Sequence, residues 1–95
     1  MAQYARVATF EMDDASLDAL IERIRSEERP EGVPAKRLTI LADRAAGRVL
    51  VAARFDSEED LRTGSAALDG MEPPDVGSRR RVSVDAYEVV LEREF

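Results

Sequence analysis

Residues 49–55 read VLVAARF, a run in which apolar side chains take almost every position instead of every second one. A strand with one solvated face alternates apolar and polar residues, so a run without that alternation asks for cover on both sides. Cover is scarce in a chain of 95 residues. A domain of this size buries only about 60 to 65% of the surface its unfolded chain exposes. The same two-sided character recurs in residues 81–92, RVSVDAYEVVLE, where Val82, Val84, Ala86 and Val90 oppose Tyr87, Val89 and Leu91.

The remaining segments say what can cover one of those faces. Residues 4–12, YARVATFEM, are rich in β-branched and aromatic side chains and free of Gly and Pro, which predicts a strand. In DDASLDALIERIRSEERP, Leu17, Leu20, Ile21 and Ile24 fall at i, i+3, i+4 and i+7, one apolar stripe of a helix that Asp13 or Asp14 can cap. The run ERPEGVP, residues 28–34, ends it, because proline does not continue a helix. Residues 36–42 and 48–55 are then two strands joined by DRAAG, with Gly47 supplying a cheap positive φ for an antiparallel hairpin. Ser57 and Asp60 are spaced as a capping box before a second helix that buries Leu61, Leu68 and Met71, with Gly64 on the same face. A Gly inside a helix points to close approach of the sheet or room for a ligand, and packing is the simpler reason. After a Pro- and Gly-punctuated loop at residues 71–78 the last strand follows at 81–92.

The predicted order is strand, helix, strand, strand, helix, strand: an α+β, ferredoxin-like βαββαβ unit with an antiparallel four-stranded sheet, forming a single domain over residues 1–95. Two helices cover one sheet face. The economical cover for the other is a second copy of the chain, sheet against sheet about a twofold axis, which predicts a homodimer.

Composition removes several chemistries. With no Cys and no His there is no thiolate nucleophile, no sulfur-based zinc site, no imidazole base and no His-held haem, so neither a metal nor a cofactor is expected. A net charge of −6 repels nucleic acid, and the one basic cluster, Arg79 to Arg81, lacks interleaved aromatics and leads straight into a strand. No apolar run approaches the roughly 20 residues of a membrane span, and the first ten residues lack a signal-peptide pattern. A cytoplasmic protein without a membrane partner is expected.

YARVATFEM, DRAAGRVLVAARFDSEEDLR and VDAYEVV together resemble the dimeric α/β-barrel superfamily, and within it the antibiotic-biosynthesis-monooxygenase-like proteins. The resemblance covers nearly the whole chain and implies that two βαββαβ units join their sheets into one barrel. It also implies cofactor-independent oxygenation of an electron-rich phenol or quinol held between sheet and helices, where the protein binds, deprotonates and excludes water. Members with well-understood chemistry tend to place Asn, Trp or His in the pocket; this chain has none of the three, which speaks against haem degradation and weakens the quinol reading. The alternative is a noncatalytic dimer that binds a small hydrophobic or aromatic molecule or serves as a scaffold.

The candidate ligand-binding residues are the polar ones set into apolar strands: Thr9, Arg54, Asp85 and Tyr87, with Arg6 beside them in sequence pattern. A phenol such as Tyr87 near Arg54 can hydrogen-bond a ligand or exchange a proton with it. The competing reading makes Tyr87 an ordinary core or interface aromatic, Arg6, Arg54 and Asp85 members of interstrand or intersubunit ion pairs, and Thr9 a good strand former. Glu58, Glu59 and Asp60 diverge around a helix start and read as capping charges, not as metal ligands.

Overall fold

The computed structural model describes residues 2–26, 33–70 and 80–95. They form β1 (Gln3–Glu11), α1 (Asp14–Ser26), β2 (Arg37–Asp43), β3 (Arg48–Phe55), α2 (Glu58–Gly70) and β4 (Arg80–Val89). The four strands make one sheet in the order β2-β3-β1-β4, every neighbouring pair antiparallel. The result is an α+β fold with two helices on an antiparallel sheet, compatible with a ferredoxin-like unit. Met71 and the expected loop at 71–78 lie outside the described residues, as does most of the expected helix-ending run at 28–34.

Local chemistry sets the element ends. Asp13 caps α1: its carboxylate accepts from the Ser16 N–H at 2.8 Å and its carbonyl from the Leu17 N–H at 3.0 Å. Ser57 does the same for α2, accepting from the Asp60 N–H at 3.0 Å. In the β2–β3 hairpin Gly47 has φ +68°, and Asp43 accepts from the Ala46 N–H at 3.1 Å. The Gly47 carbonyl then accepts from Met12 N–H at 3.0 Å, tying the hairpin to the end of β1.

Both helices lie on one face of the sheet, because the two core clusters share the same side of β3. Met12, Leu17 and Leu20 pack with Val49, and Val33 and Leu61 pack with Ala53 and Phe55. Gly64 sits directly over the Phe55 ring, and a Cβ there would overlap ring carbons Cε1 and Cζ. Close packing of α2 on the sheet, not room for a ligand, accounts for that glycine.

The last strand, expected over residues 81–92, ends three residues earlier, and it is not regular throughout. The β1–β4 register shifts between Thr9 and Phe10, so Val82 falls out of the simple alternation. At the far end β4 stops at Val89, which pairs with Gln3, the first residue of β1. With no further partner on β1, residues 90–95 leave the ladder, and Val90 and Leu91 are more than four-fifths exposed.

Candidate functional site

The register sorts every strand residue by face. Tyr4, Arg6, Ala8 and Phe10 of β1 share the helix-covered side with Val49, Val51, Ala53 and Phe55 of β3. On the opposite side cross-strand rows run Arg37, Arg54, Ala5, Tyr87; then Thr39, Ala52, Val7, Asp85; then Leu41, Leu50, Thr9, Ser83. Neither described helix lies over this second side. Leu41 is 54% and Tyr87 55% exposed there, while Val7, Leu50 and Ala52 between them are half-buried.

All four residues singled out from sequence, Thr9, Arg54, Asp85 and Tyr87, therefore lie on the open face. Thr9 and Asp85 are diagonal neighbours across β1 and β4, and Asp85 and Tyr87 are next but one along β4. Arg54 and Tyr87 are not brought together: Ala5 stands between them, and two strand spacings separate their backbones by roughly 10 Å. Among the described residues no side-chain hydrogen bond or ion pair joins Thr9, Asp85 or Tyr87 to another group.

Arg54 has a different partner. Its Nη1 and Nη2 donate to Oε1 and Oε2 of Glu92 at 3.1 and 2.7 Å, a bidentate fork, and Arg37 Nη1 lies 3.9 Å from the same carboxylate. The fork holds the Glu92 carboxyl below the usual carboxylate range, with Arg37 adding to the effect, and it holds the Arg54 guanidinium above its ordinary value. The Arg54 side chain is mostly enclosed, 16% exposed, and its Nε is buried with no acceptor among the described residues. Glu92 was legible in sequence only as a strand end; a charged residue beyond the paired part of a strand carries no signal of where it folds back.

Arg6 belongs to the other face. It is buried beneath α2 and donates from Nη2 to Asp69 at 2.8 Å, with Arg81 3.7 Å from the same carboxylate. It is thus an ion-pair residue, but its partner lies on a helix of the same chain, where the competing reading expects an interstrand or intersubunit pair. Arg80, from the basic cluster, pairs with Glu11 at 2.9 Å at the strand entrance.

On the helix side the sheet is wider than the layer that covers it. A groove of about 340 Å³ runs between α1 and β2, walled by Leu17, Ile21 and Ile24 against Leu38, Ile40 and Ala42, with Arg25 and Arg44 completing it. Leu38 is 45% exposed although it points to the helix side. Arg44 donates to Asp14 and Asp18, both at 2.9 Å, and the two acids raise its pKa, Asp18 most. Among the described residues no carboxylate or phenol lines this groove. Among the described residues no group of three or more acidic side chains is placed to hold a metal ion, and no helix is long and apolar enough to cross a membrane.

No protein-family model, no curated protein and no solved structure matches this chain.

Proposed function

We propose that the protein is a noncatalytic, small-molecule-binding homodimer of the dimeric α/β-barrel type, two copies packing open sheet face against open sheet face. The observation that carries it is the side of the sheet turned away from both described helices, where Leu41, Leu50, Val7 and Tyr87 lie among Thr9, Thr39 and Asp85. Such a patch on a small domain is an association surface, and a second copy supplies a face of the same shape and polarity. The α1–β2 groove gives each copy ligand room at the lower end of the roughly 300–1,000 Å³ range of small-molecule sites. Binding is favoured over oxygenation because the groove's described lining is aliphatic walls and two guanidinium groups, with no group among those residues suited to take a proton from a phenol.

Sedimentation velocity at micromolar concentration tests the assembly. The wild type is expected as a dimer and Leu50→Asp as a folded monomer, since Leu50 faces away from the helices; a monomeric wild type would refute the proposal. A thermal-shift screen with aromatic and quinone-like ligands tests the rest. Stabilising ligands should be recovered unchanged after aerobic incubation, and conversion to an oxygenated product would overturn the noncatalytic reading.

A further inference from the structure

The end row of the open face sets two guanidinium groups against each other, Arg37 on β2 directly opposite Arg54 on β3. Like charges in that position repel, so the pair favours an anion between them. The chain provides one in Glu92, whose carboxylate fills the Arg54 fork and approaches Arg37. A guanidinium fork is shaped for any carboxylate, not for glutamate in particular.

Three further observations distinguish this from a plain surface ion pair. Glu92 arrives on residues 90–95, outside the strand ladder, with Val90 84% and Leu91 81% exposed, so among the described residues the Arg54 fork and the nearby Arg37 are the polar groups that hold that segment to the sheet. Arg54 Nε is buried and has no acceptor among the described residues, leaving donor capacity that Glu92 does not use. Beside the fork lies an open groove of about 210 Å³ whose strand-borne walls are Ala5, Ala52 and Val89, with Thr39 as its one uncharged polar side chain, and whose far side is closed by Leu91 and Glu92 itself.

We propose that this pocket is a binding site for a small monocarboxylate with a short apolar body, and that Glu92 is the built-in occupant such a ligand displaces. The carboxylate would take the Arg54 fork beside Arg37, and the apolar body would fill the groove in contact with Ala5 and Ala52. Small aliphatic walls and a single hydroxyl suit one charged end on a hydrocarbon and do not suit a polyanion or a sugar. The proposal goes beyond the dimer reading, stands on one chain's own groups, and requires that the Arg37–Arg54–Ala5 end row of the open face stay outside the dimer contact.

Amide-resolved NMR titration with benzoate tests it, using wild type and Glu92→Gln, with benzamide as the neutral isostere and inorganic phosphate as the competing anion. Glu92→Gln removes the competing charge and keeps the side-chain shape. It should bind benzoate about tenfold tighter than wild type, the order set by one charge-assisted hydrogen bond, with saturable shifts at Ala5, Thr39 and Ala52. Benzamide and phosphate should bind at least that much more weakly. Adding Arg54→Gln to Glu92→Gln should abolish binding; if that chain does not fold, Arg37→Gln in the same background should weaken it. Equal benzoate affinity in wild type and Glu92→Gln, no preference over benzamide or phosphate, or no saturable shift up to about 20 mM would each overturn the proposal. Sedimentation of the same samples separates the two readings. A monomer that binds benzoate removes the dimer alone, and a dimer whose Glu92→Gln form ignores benzoate removes this site alone.

Discussion

Gly64→Ala sets two effects of known size against each other. In the middle of α2 an alanine gains about 1 kcal/mol of helix propensity over glycine. Its Cβ, however, would overlap the Phe55 ring at Cε1 and Cζ, and Phe55 is fully buried, with no solvent to swing into. Relief requires α2 to lift from the sheet or the ring to leave its rotamer, and forcing extra volume into a packed core costs typically about 1–3 kcal/mol. Overlap with two rigid ring carbons belongs at the upper end of that range, so the net is a loss of about 1–2 kcal/mol. For a domain of 95 residues this is a fall in Tm of roughly 5–15 °C. The assay is thermal unfolding followed by circular dichroism at fixed protein concentration, because association would make Tm concentration-dependent. Thr63→Ala, one position earlier and exposed, carries the propensity gain without the clash and should raise Tm slightly. In the double variant Gly64→Ala/Phe55→Leu the smaller side chain should recover about 1 kcal/mol relative to the sum of the single changes. A Tm for Gly64→Ala that rises with Thr63→Ala, or an additive cycle, would refute the packing argument.

Val51→Glu should leave the chain unfolded or aggregated in a circular dichroism and light-scattering assay, because Val51 packs against the Met12, Leu17, Leu20 and Val49 cluster and an unpaired carboxylate there costs several kcal/mol. Asp13→Ala should lower stability by at least about 1 kcal/mol in urea unfolding, with an unchanged m-value, since it removes the acceptor that caps α1 at the Ser16 N–H. The Glu92 carboxyl should titrate below the usual carboxylate range in a carbon-detected NMR pH series and return to it in Arg54→Gln. Because its folded pKa is depressed, its contribution to stability is fully present above the unfolded value and is lost as pH falls through the folded one; a Glu92 midpoint unmoved by Arg54→Gln would contradict the fork.

The element order was legible because local signals agree with one another. The Leu17, Leu20, Ile21, Ile24 stripe marks α1, Asp13 and Ser57 sit where caps must sit, and Gly47 takes the left-handed turn its position demands. Gly64 was legible as a packing residue for the same reason: a helix tolerates such a weak former only where something larger comes close. Val33 shows where local reading stops, since it lies in a Pro- and Gly-rich run without periodicity and yet is buried against Phe55 and Leu61. The face assignments were decided by tertiary structure alone. Alternation fixes which residues share a side but not which side meets the helices, and a strand apolar on both sides, as residues 49–55 are, gives no preference. Once the helices settle over Val49, Ala53 and Phe55, Arg6 must pass beneath α2 to Asp69, while Arg54 is turned to the open face and meets Glu92. Both ion pairs join residues far apart in the chain, 63 positions for one and 38 for the other, and only the closing of the sheet sets which charges meet.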